Sequence, residues 1–184
     1  MTQSRFIQLS GWGMVVAAVF LLLTFVPVPI AFFVAILFTS LGLLGLWLGY
    51  GKAAGRGPRI ALKIGIVAGA VGLGSNLWML MGHENGRPLM NLAMAVMFSG
   101  LFLFGLTTVG QKVMPHGNGL PLLAGFGWPL LWLGTAINHQ ITGQWLTVPG
   151  WLSFTWFALM AFFLAWLGYR IQADTPSVYG NSRN

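Results

Sequence analysis

Residues Gly74 to Asn91 read GSNLWMLMGHENGRPLMN. Two apolar runs meet there around a polar centre that holds Asn76, His83, Glu84, Asn85, Arg87 and Asn91, in a chain with only 2 acidic residues and 3 histidines in all. Gly82 and Gly86 interrupt the pattern, and Pro88 stands where the first turn of a new helix tolerates proline. The stretch therefore reads as a turn between two apolar helices, with its chemistry gathered at one end of both.

The composition outside this turn sets the class. Of 184 residues 57% are hydrophobic and 6% charged, with a mean hydropathy of +0.79, a balance that in water would leave a vast apolar surface exposed. The reading is an all-α, polytopic integral membrane protein, a multi-pass protein of the cell membrane. Apolar runs over 6–25, 30–50, 60–81, 89–109, 120–137 and 151–169 give six transmembrane helices, each near the ~20 residues that cross a bilayer. Residues 1–170 form a single transmembrane domain in this reading, and 171–184 a polar cytoplasmic tail. The first run resembles a signal peptide, but it ends in Thr24-Phe25-Val26-Pro27-Val28-Pro29 with no small-x-small site, so it is read as a span. The two prolines turn the chain sharply into the second run.

Orientation follows from the basic residues. Arg5, Lys52, Arg56, Arg59, Lys63, Lys112, Arg170 and Arg183 fall on one side of the six-span arrangement, and only Arg87 on the other. Positive residues collect in the cytoplasm, so both termini are expected there and Gly74–Asn91 outside. The net charge of +7 is thus explained by membrane orientation, and nucleic acid is not an expected partner.

Small residues mark the packing. Lipid gives helices no hydrophobic reason to associate, so close approach at Gly45 and Gly49 in the second span, and at Gly65 and Gly69 in the third, is expected to hold the bundle. A stripe of Gly42, Gly45 and Gly49 facing Gly65, Gly69 and Gly72 is the seam this suggests. The second and sixth spans close alike, in Trp47-Leu48-Gly49-Tyr50 and Trp166-Leu167-Gly168-Tyr169, which suggests three helical hairpins.

Candidate chemistry is sparse. The chain has 0 cysteines, which removes disulfides and thiolate chemistry, and no acid, lysine or arginine lies in the middle of a span, where proton relays and coupled transporters place them. His83, His116 and His139 lie at span ends or in loops, unsuited to haem between helices. What remains is an outer polar cluster of Asn76, His83, Glu84, Arg87, Asn91, Asn138 and His139, read as a docking or vestibule surface. Asn76 and Asn138, a turn inside the boundary, are expected to hydrogen-bond across helices. Glu84 is expected to neutralise Arg87, and His83, Glu84 and His139 would make acceptable zinc ligands if their loops met. No catalytic residue and no metal site are assigned. Trp128, Trp132, Trp145, Trp151 and Trp156 crowd the last two spans and their connector, and are read as an aromatic groove for a lipid, quinone or pigment, or for a partner subunit.

The run Thr135-Ala136-Ile137-Asn138-His139, followed by Trp145 and Trp151, resembles a segment of the six-span urea and amide channel family. It falls in the fifth span where that family carries it in the third, and the family's membrane carboxylates have no counterpart here, so it assigns the chain to no family. Two functional expectations follow from the whole. One is a non-catalytic accessory or structural subunit of a larger membrane complex, positioning lipids, cofactors or partner helices, whose partners are membrane lipids and other membrane subunits or a second copy. The alternative is a passive channel or facilitator for a small uncharged solute. An enzyme acting on lipid through His83, Glu84 and His139 ranks below both. In intact cells an impermeant reagent should label a site engineered at Asn85 and spare one in the tail; labelling of the tail would overturn the orientation.

Overall fold

The computed structural model describes residues 2–26, 28, 30–114, 116–144 and 149–180, with 175–180 described by backbone alone. The chain forms α1 (Gln3–Leu23), α2 (Ala31–Gly49), α3 (Arg56–Leu80), a single 3₁₀ turn at Glu84–Gly86, α4 (Arg87–Gln111), α5 (Leu120–Thr142) and α6 (Gly150–Gly180). No strand occurs among the described residues. All six helices are long and apolar enough to cross a membrane. At ~1.5 Å per residue even α2, with 19 residues, approaches the ~30 Å of a bilayer core. Helices α1, α2 and α6 are apolar around their whole circumference rather than along one stripe, as suits a helix whose surroundings are as apolar as its core.

Each helix packs on its neighbours in the chain, and α6 returns to α1 in the most extensive contact of all, closing a ring. Met14, Ile36, Leu43, Met97, Phe98, Leu101 and Phe104 fill the interior. The expected hairpins α1–α2 and α3–α4 are close pairs, whereas α5–α6 is the slightest of the sequential contacts. Glycine placement explains this. A methyl group on Gly11 would stand 2.6 Å from the Gly168 carbonyl oxygen, so α1 and α6 meet backbone to backbone.

The glycine seam differs from the one expected. Gly42 faces Met14, Gly45 faces Ser10 and Gly49 faces Ile7, so the α2 stripe receives α1 rather than α3. A methyl group on Gly65 would stand 3.1 Å from the Met97 carbonyl oxygen and 3.7 Å from Gly100 Cα, Gly69 faces Ser40 and Met97, and Gly72 faces Ala93 and Ile36, so the α3 stripe sits in the groove between α2 and α4. The two Trp-Leu-Gly-Tyr endings share one role, since Gly49 and Gly168 both lie against α1, yet Tyr50 is buried and Tyr169 exposed.

Two boundaries also shift. Helix α5 continues through Thr142, which places Asn138 and His139 in its last turns. Helix α6 continues through Gly180 across the residues read as tail, with Ile171 and Asp174 buried. The reason is spacing: Leu164, Leu167, Ile171 and Asp174 recur every three or four residues and extend the buried face of α6.

Gly168→Leu should lower stability by about 1–3 kcal/mol, because its side chain has no space against α1. Gly74→Leu should leave detergent melting unchanged, since nothing lies within 4 Å of a Cβ there. Equal melting of the two variants would contradict the glycine contact.

Candidate functional site

The end of the bundle carrying the α1–α2, α3–α4 and α5–α6 connectors is here termed distal. There the α3–α4 connector folds back onto α3 instead of extending away. The His83 ring stacks on Trp78 with centroids 4.1 Å apart, and Trp78 Nε1 donates to Asn85 Oδ1 at 3.1 Å. Gly86 is buried against the Ser75 carbonyl oxygen, an approach that leaves no space for a Cβ. Gly82 takes a φ of 94°, the left-handed region open to glycine, which lets the chain leave α3 and reverse. The indole of Trp78 is thereby held from two sides. His83, Glu84 and Arg87 are exposed, and Glu84 and Arg87 form no ion pair among the described residues, contrary to the expected neutral pair.

Beside this loop lies an open cleft of about 530 Å³, bounded by Thr24, Val26 and Val28 of the α1–α2 connector, Phe32 of α2, Asn76, Met79 and Leu80 of α3, and Arg87 and Met90 of α4. Asn76 is 6% exposed. Its Nδ2 donates across to Met90 Sδ at 3.3 Å, the interhelical bond expected of it, while its Oδ1 has no partner. Asn138 behaves otherwise: its Nδ2 donates to the Gln144 carbonyl oxygen at 2.8 Å and closes the end of its own helix.

The aromatic residues divide. Trp128 is half-buried, its ring 6.1 Å from Phe98, 5.9 Å from Phe32 and 5.3 Å from Phe157. Trp156 donates Nε1 to the Gly127 carbonyl oxygen at 3.2 Å, two residues before Pro129. Trp128 and Trp132 line a cleft of about 200 Å³ with Asn91, Leu131, Thr135 and Phe157, so Asn91 joins the aromatic groove to the polar end. Trp151 is 72% exposed and outside this cleft. Trp145 lies outside the described residues.

The polar cluster thus separates into parts. Asn76 and Arg87 share one cleft, His83 and Glu84 belong to the connector, Asn91 faces the aromatic cleft, and Asn138 and His139 end α5. No group of three histidine, aspartate or glutamate side chains able to hold a metal occurs among the described residues, so His83, Glu84 and His139 are not brought together. Helix α5 packs on α4 and α6 and makes no contact with α3, which separates the two histidines.

The proximal end holds a pair that the sequence reading passed over. His116 Nδ1 lies 3.2 Å from Asp174 Oδ1, with the Asp174 side chain only 7% exposed. Nearby, Asn118 Oδ1 accepts from the Met114 backbone N–H at 2.7 Å, and Thr108 Oγ1 donates to the Asn118 and Gly105 carbonyl oxygens. The helical spacing that carries α6 to Asp174 was the available signal.

Replacing His83 and Asn85 together by alanine should free the connector and speed exchange of its amides, among them Gly82 and Gly86, by about fivefold, the equivalent of roughly 1 kcal/mol of lost hydrogen bonding and stacking. The melting of the bundle should not move. Unchanged exchange would show that Trp78 does not hold the connector. No family model, no curated protein and no solved structure matches this chain.

Proposed function

We propose that this chain is a multi-pass membrane protein with both termini in the cytoplasm and its distal end outside, and that it serves as a non-catalytic accessory or structural subunit that binds the helices of a larger membrane partner. The orientation rests on the division of the basic residues, of which, among the described residues, Arg87 alone stands at the distal end.

The observation that carries the subunit reading is the distal half of α5 and α6. Every buried residue of α5 lies at or before Gly127, and every buried residue of α6 at or after Met160. Beyond those points neither helix has a buried residue, Phe154 and Phe157 of α6 meeting Phe25 just beyond α1, and the two helices present Trp132, Leu133, Ile137, Trp151 and Leu152 to their surroundings. A helix of a self-sufficient bundle buries one side on its neighbours. Helices in lipid associate by shape and small residues, so such an aromatic-rich projection is suited to seat between the helices of another subunit. The interior of the ring is filled by large side chains such as Phe98 and Phe104, which favours this reading over a channel through the centre.

Photoactivatable residues at Leu133 and Trp151, used in native membranes, should yield an adduct of one defined partner subunit, and the same group at the exposed Val67 of α3 should not. Adducts to lipid alone, or only to a second copy of this chain, would contradict the proposal.

A further inference from the structure

The distal cleft holds two groups that the fold leaves unused. The first is Asn76 Oδ1, buried on an α3 residue that lines the cleft and without a donor. Exchanging the two ends of the amide would not relieve it, because an oxygen would then face the Met90 sulfur, itself an acceptor. The second is Arg87. It stands at the N-terminus of α4, where the helix dipole is positive and a cation is unfavourable, and no acidic side chain among the described residues pairs with it. Among the described residues it is also the only basic one at the distal end, the side of the membrane where such residues are scarce in the orientation given above. Three separate costs at one position are offset if an anion binds there.

Geometry relates the two groups. Met90, whose sulfur accepts from the Asn76 amide, is three residues along α4 from Arg87, about 4.5 Å of helix rise further into the bundle, and both residues line the cleft. Apart from Thr24, whose hydroxyl donates to the Leu21 carbonyl oxygen, the rest of the wall is apolar: Val26, Val28, Phe32, Met79, Leu80 and Met90. The cavity of about 530 Å³ is within the ~300–1,000 Å³ usual for small-molecule sites.

We propose that this cleft binds a single-chain lipid whose anionic head meets Arg87 and whose free hydroxyl, two or three bonds nearer the tail, donates to Asn76 Oδ1. A monoacyl glycerophosphate lipid has this arrangement, as does a 3-hydroxy fatty acid with a carboxylate head. A diacyl lipid with the same phosphate has its central oxygen esterified and offers no donor. The site uses the membrane orientation given above but not the accessory-subunit reading, so its test is made on the isolated full-length chain.

Purified protein in a neutral detergent should bind a monoacyl glycerophosphate roughly tenfold more tightly than the diacyl phosphatidic acid of the same chain length, or a 3-hydroxy fatty acid more tightly than the unsubstituted acid, as read by native mass spectrometry. The pair that shows the preference identifies the head as phosphate or carboxylate. Asn76→Leu should abolish the preference, and Arg87→Gln should weaken both members of that pair by about tenfold. Arg87 is exposed, so that variant keeps the fold; if Asn76→Leu does not fold, the comparison of probes on the unaltered protein decides alone. Equal binding of hydroxylated and hydroxyl-free probes, or binding indifferent to Arg87→Gln, would overturn the proposal.

Discussion

The contact on which the rest depends is the meeting of α1 and α6 at Gly11 and Gly168. Between helices surrounded by lipid, apolar side chains gain little by turning inward, and what remains is the fit of surfaces. Two glycines opposite one another let two backbones approach as no other pair of residues does, and the approach buries Ile7, Met14, Leu164 and Leu167 on either side. Helix α1 then receives α2 on its other flank through Gly42, Gly45 and Gly49. One helix therefore joins the first and last parts of the chain, and the ring closes around it.

The shape of the two ends follows from where glycine is placed. Gly105 and Gly125 draw α4 and the beginning of α5 together, and Gly127 admits Met160 of α6. Past Pro129 the α5 backbone meets no further partner of this kind, and its distal half, with the facing half of α6, projects. At the same end α1 passes into α2 while α3 passes into α4, and the space between those connectors is the cleft that holds Asn76 and Arg87. Projection and cleft are both results of helices that meet tightly elsewhere.

Much of this was legible in the residues. Apolar runs, prolines and glycines identify six helices, and the all-helical fold bears this out. Asn76 was read as an interhelical donor and proves to be one, because an amide near the end of an apolar span has few alternatives to a neighbouring helix. Which glycines face which was not legible: Gly45 and Gly65 carry the same spacing motif, and only three-dimensional packing sends one to α1 and the other to α4. Glu84 and Arg87, opposite charges in one connector, read as a neutral pair, but the connector turns to grip Trp78 and leaves Arg87 to the cleft. Asp174 falls in the segment read as a polar tail, although the apolar spacing before it runs unbroken to a buried position beside His116.

Closure of the ring can be measured directly, because the chain has 0 cysteines and any introduced pair is unambiguous. Phe25, just beyond α1, lies 5.3 Å from Phe154 of α6, ring centroid to ring centroid. A short bismaleimide should join cysteines placed at these two positions within one chain and should not join Phe25→Cys to Val67→Cys on α3, which has no contact with α1. Efficient cross-linking of the second pair with none of the first would contradict the closed ring.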